Sequence, residues 1–83
     1  MLQFEEYKVK LNNLKPEIEG LDKALGIEQA KREVEELEIK SSQPGFWDNP
    51  EVSNTKMKEL KNLKDLVETM DHLRDQYEDI MTL

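Results

Sequence analysis

The 83-residue chain has no cysteine, which removes disulfides and thiolate metal ligands and fits a reducing compartment. It has one histidine, His72, so neither a histidine metal cluster nor a pair of Glu-x-x-His motifs for a carboxylate-bridged di-metal site can be assembled. No apolar run approaches the roughly 20 residues that cross a bilayer, and no basic segment followed by an apolar core marks a signal peptide at the amino terminus. The composition therefore predicts a cytoplasmic protein with no membrane partner. Glycine and proline number three each. That scarcity excludes flexible linkers and leaves each of the six as a punctuation mark. A chain of this length buries only roughly 60–65 % of the surface it exposes when unfolded, enough for one domain of marginal stability.

Charge is abundant and unevenly placed. The formal net charge is −7, which disfavours a sequence-independent grip on phosphates. From Asp65 to Leu83 six acids face Arg74 alone, whereas Lys56, Lys58, Lys61 and Lys64 are accompanied by one acid, Glu59. Both runs read as solvated helix surface; the lysines have a second reading, as a stripe that meets RNA or an acidic partner.

Apolar residues recur at Phe4, Tyr7, Leu11, Leu14, Ile18, Leu21 and Leu25 with alternating spacings of three and four, the seam of a helix packed against others. Pro16 withholds an N–H and predicts a bend, and Gly20 weakens the same stretch, but the seam passes through both, so one helix is expected over about 3–25. Gly26 supplies the left-handed residue that ends it. A second helix is expected over 28–41, with Ala30, Val34 and Leu37 on one face. Ser41-Ser42-Gln43-Pro44-Gly45 then breaks the chain, because proline fixes φ and glycine accepts positive φ. The third helix, 50–82, has the clearest start: Asn49 as N-cap, Pro50 at the first helical position and Glu51 against the dipole. Nothing alternates with period two. The fold class is all-α, a three-helix antiparallel bundle or coiled-coil-like hairpin with a long third helix whose far end, Leu73 to Leu83, outruns its partners and drives self-association of the fragment.

Chemistry is sparse. The serines have no histidine near them in sequence, and glycine-rich phosphate loops are missing. The carboxylates fall opposite the apolar seam. No catalytic constellation, cofactor site or metal site is expected, and the chain is not read as an enzyme. Phe46 and Trp47, in loop 42–49, read first as a plug on the end of the helices and second as an exposed docking pair.

The segment Gln43-Pro44-Gly45-Phe46-Trp47-Asp48-Asn49-Pro50-Glu51 resembles the Pro-x-Phe-Trp-Asp-x-Pro-Glu segment near the start of the bacterial peptide chain release factor 2 family, a class I release factor family. The flanks agree: Ala30 to Glu38 is similar to that family's acidic second helix, and Leu60 to Asp79 to its long helix. Asp22 and Lys23 depart from an Arg-Gly pair common there, and Leu25-Gly26 from a Leu-Asp pair at a programmed frameshift. The resemblance implies a piece of an N-terminal helical domain, truncated at its C-terminal end, from a protein that reads UAA and UGA and promotes peptidyl-tRNA hydrolysis. The family's Ser-Pro-Phe and Gly-Gly-Gln motifs are not in this chain, so no codon-reading or catalytic residue is carried over. What the resemblance assigns to such a domain is docking at the stalk base of the large ribosomal subunit and to a GTPase release factor. Phe46, Trp47, Asp48 and Pro50 are the signature positions, and Lys56, Lys58, Lys61 and Lys64 the basic candidates. A coiled-coil or adaptor module unrelated to translation accounts for the seam and the charge, but gives no reason for the Phe-Trp segment.

Overall fold

The computed structural model describes residues 2–83. Three α-helices and one short 3-10 turn follow in the order α1 (Leu2–Leu25), α2 (Ile27–Ser41), the turn Phe46–Asp48 and α3 (Pro50–Thr82). Helix α1 runs unbroken through Pro16 and Gly20. A single residue separates α1 from α2: Gly26, at φ 66° and ψ 42°. Its amide donates to the carbonyl of Lys23 at 3.2 Å and its own carbonyl accepts from Ala30 at 2.9 Å, so one left-handed residue both closes α1 and opens α2. An L-residue with a side chain pays a steric penalty in that region.

The redirection at Gly26 decides the architecture. Helices α1 and α2 do not fold back on each other; they lie end to end as one interrupted arm, antiparallel to α3. The cross-helix pairs show this direction. Glu38 on α2 meets Lys64, Asp22 on α1 meets Arg74, and Phe4 and Tyr7 share a depression with Ile80 to Leu83. As numbering falls along the first arm, it rises along α3. The molecule measures 64 × 22 × 16 Å, longer than the about 50 Å that 33 helical residues span, as an end-to-end arm requires. Of the two forms expected from the sequence, this is the coiled-coil-like hairpin. The far end of α3 is not bare, which corrects the expectation that it outruns its partners: α1 reaches alongside it.

The two halves of the rod pack differently. Helix α2 lies closely along the first half of α3, burying Ala30, Leu37 and Leu60. At the junction Ile27 and Met70 are 1 % and 2 % exposed and join Ile18, with Leu66, Leu73 and Tyr77 packed around them. On both sides of Ile18 the seam of α1 is open: Leu21 and Leu25 are each 44 % exposed, Leu14 40 %, Tyr7 65 % and Phe4 70 %. The regular three-four spacing is present, but of its positions only Ile18 is buried against the facing helix.

At the other end, the Asn49 side chain accepts from the amides of Glu51 and Val52 at 3.2 and 3.5 Å, and Pro50 occupies the first helical position, as its lack of an N–H favours. Ser53 is fully buried, its hydroxyl donating to the carbonyls of Asn49 and Pro50, so a polar group in the narrow end of the hairpin is satisfied by its own helix.

Candidate functional site

The residues singled out from the sequence sit at the closed end of the hairpin and along the first turns of α3. The connection from α2 to α3 is built on Gly45, at φ 88°, which lets the chain turn back within a few residues. Asp48 donates its amide to the Gly45 carbonyl at 3.2 Å, closing the 3-10 turn that presents Phe46 and Trp47. The two rings meet edge to face, with centroids 5.0 Å apart and planes at 79°. Phe46 is half-buried. Trp47 is 54 % exposed, and its indole N–H donates to the carbonyl of Ser41 at 3.1 Å. That carbonyl lies at the end of α2, where the last turn leaves acceptors without helical partners. Trp47 therefore ties the turn to the C-terminus of α2 while leaving about half its surface to solvent. This is neither the buried plug nor the free aromatic anchor: one edge is fixed and one face is open. Asp48 and Pro50 are exposed beside it.

The four lysines differ in what surrounds them. The Lys64 ammonium bridges to Glu38 on α2 at 2.8 Å, and the Glu38 hydrogen bond and charge hold its pKa above the ordinary lysine value. Lys56 is 3.8 Å from Glu59, one turn along its own helix. Lys58 and Lys61 form no salt bridge among the described residues and are exposed, three positions apart on one face of α3. The aromatic pair sits at the α2–α3 turn, and Lys58 and Lys61 lie about two and three helical turns along α3 from Pro50.

Sequence reasoning missed the pairs that set the hairpin's register. Arg74 reaches Asp22 at 2.7 Å, and that hydrogen bond raises the guanidinium pKa further. The sequence marks Arg74 only as a lone base among acids and Asp22 only as a departure from the family pattern, because partners 52 positions apart leave no periodic signal. An apolar groove between α1 and α3 was also missed; it holds about 410 Å³ and is lined chiefly by Leu11, Leu14, Ile18, Leu21, Leu73 and Tyr77. Among the described residues no group of three His, Asp or Glu side chains is placed to hold a metal ion, and no helix is long and apolar enough to cross a membrane.

No protein-family model matches the chain, and no solved structure matches it. Curated relatives do. A peptide chain release factor 2 from Clostridium perfringens (strain SM101) is 25 % identical over 100 % of this chain and 23 % of its own length. Those from Petrotoga mobilis and Proteus mirabilis are each 29 % identical, over 96 % and 100 % of this chain and 22 % and 23 % of their own lengths. Six relatives match, and all carry that name. The chain spans less than a quarter of the length of these relatives, and over nearly all of its own length it is similar to peptide chain release factor 2.

Proposed function

We propose that this chain is the N-terminal helical domain, or a piece of it, of a translation termination factor that reads UAA and UGA and promotes peptidyl-tRNA hydrolysis. In this reading the chain docks and does not catalyse. Its partners are the stalk base of the large ribosomal subunit and the GTPase release factor, and its compartment is the cytoplasm. One observation carries the proposal: similarity over 88 % to 100 % of the chain to six proteins of one name.

The geometry supports docking at the closed end. A half-exposed tryptophan fixed by its N–H offers a rigid amphipathic surface, the kind that anchors interfaces. Lys58 and Lys61 nearby are free to meet phosphate or carboxylate groups, whereas Lys56 and Lys64 have partners within the fold. Two ammonium groups on an acidic molecule make a weak, salt-sensitive contact, not a general nucleic-acid grip.

The test is co-sedimentation of the folded chain with purified bacterial 50S subunits, alongside a peptide-release assay. Binding that weakens with salt and with the double change Lys58→Glu and Lys61→Glu, together with no release activity, is the expected result. A folded chain that ignores the ribosome would leave the adaptor reading in its place.

A further inference from the structure

Gly26 joins two helices whose apolar faces are out of phase. Along α1 the seam of Leu11, Leu14, Ile18 and Leu21 lies toward α3, and along α2 Ile27, Ala30 and Leu37 do the same. At about 100° per residue, a right-handed helix carried straight through Gly26 would hold those two faces about 150° apart. One left-handed residue, at φ 66°, re-phases the chain and sets both faces on α3. We propose that Gly26 is a two-state joint. With its φ returned to the right-handed region, α1 and α2 run as one continuous helix, the Asp22–Arg74 pair parts, and α1 swings clear of α3 with its seam turned outward. The proposal is separate from the termination reading and rests on helical phase and on how each helix is held.

Little holds the joint in its left-handed state. Glycine takes positive and negative φ about equally well. A Cβ built on Gly26 meets nothing within 4 Å, so no neighbouring group packs against the joint, and no side chain of that residue caps the start of α2. The straight form pairs the amides of Ile27, Glu28 and Gln29 with the carbonyls of Lys23, Ala24 and Leu25 in the ordinary helical pattern.

What the straight form gives up is limited. Ile18 is the one buried position of the α1 seam. Among the described residues a single ion pair, Asp22 with Arg74 at 2.7 Å, ties α1 to α3. Helix α2 is held far better, by Ala30, Leu37 and Leu60 in the core and by Glu38 on Lys64. The hairpin of α2 and α3 is therefore the fixed body and α1 the moving arm.

The chain has no cysteine, so spin labels go only where a pair is introduced. Electron–electron resonance between labels on Lys8→Cys and Glu78→Cys, both at exposed positions, reads the separation of α1 from α3. Labels on Glu36→Cys and Asn62→Cys, also exposed, read α2 against α3 as a control. The parent should show a short main distance and a longer minor one. Gly26→Ala disfavours the left-handed state and favours the helical one, and should raise the ratio of long to short about tenfold. Gly26→Asn tolerates the left-handed state and should shift it less. Asp22→Ala removes the latch, leaves the backbone alone and should raise the ratio about two- to fivefold; it carries the test if Gly26→Ala does not fold. The control distance and the helical circular dichroism should stay at their parent values throughout. A short distance that persists in both alanine variants overturns the proposal. So does a long distance that comes with lost helical signal, because α1 then melts instead of swinging.

Discussion

Met70 and Trp47 represent two ways in which a single side chain holds this molecule. Met70, 2 % exposed, touches the junction where all three helices meet. Met70→Ala leaves a cavity there, and urea denaturation should show a loss of about 2–5 kcal/mol, a large share of what so small a domain possesses. Trp47 works differently. A buried tryptophan truncated to alanine loses about 3–5 kcal/mol, but this ring is half in solvent. What Trp47→Ala removes is one hydrogen bond to Ser41 and one edge-to-face contact with Phe46, about 1–2 kcal/mol together. Trp47→Phe separates the parts: it keeps most of the ring contact and loses only the bond, so its melting point should fall between those of the alanine variant and the parent. A loss on Trp47→Ala as large as that of Met70→Ala would show that the ring is buried in solution.

The two glycines of the first arm make opposite predictions, because they do opposite things to their element. Gly20 has ordinary helical geometry and open space at its Cβ, so Gly20→Ala should stabilise the chain by about 0.5–1 kcal/mol. Gly26 also has open space, but its φ of 66° is left-handed, and Gly26→Ala should destabilise by about 1–2 kcal/mol with no clash involved. Thermal unfolding of the two variants under one set of conditions gives the signs. The elements themselves were legible in the sequence: the third helix begins where Asn49, Pro50 and Glu51 place it, and Gly26 marks the break between the first two. How the elements meet was not. A three-four seam states that a helix has an apolar face and is silent about how much of that face finds a partner, so Phe4, Tyr7 and Leu14 read as core and stand exposed. The candidate site was legible in part. Trp47 was found from its setting between two prolines, but its acceptor, Ser41, depends on where α2 happens to end. The lysine run likewise gave no hint that Lys64 is engaged by Glu38 across the hairpin.

The whole molecule is a rod whose two halves have unequal cohesion, and pH and hydrogen exchange probe its two kinds of fastening. Two ion pairs pin the first arm to α3, Glu38 with Lys64 and Asp22 with Arg74. The Lys64 pKa is raised by Glu38, so the folded state holds its proton more tightly than the unfolded chain does. The contribution of that pair is therefore complete below the ordinary lysine value of 10.5 and is lost as pH climbs through the raised value. Arg74 stays charged throughout and keeps α1 attached across the same range. On account of these cations the melting point should be level through neutral pH and decline only in strong alkali, and Lys64→Met should flatten that alkaline decline. The hydrophobic fastening is graded along the rod instead. Ile27, Ala30, Leu37, Leu60 and Met70 are buried, whereas α1 before Ile18 has no buried residue among those described. Local opening needs least free energy where least apolar surface is covered. Amide exchange should accordingly find the slowest protons between Ile27 and Leu37 and between Leu60 and Met70, and fast exchange in α1 ahead of Leu11. Protection that is uniform along the rod would show that the first arm holds to α3 as firmly at its open end as at its closed one, and would contradict the graded core.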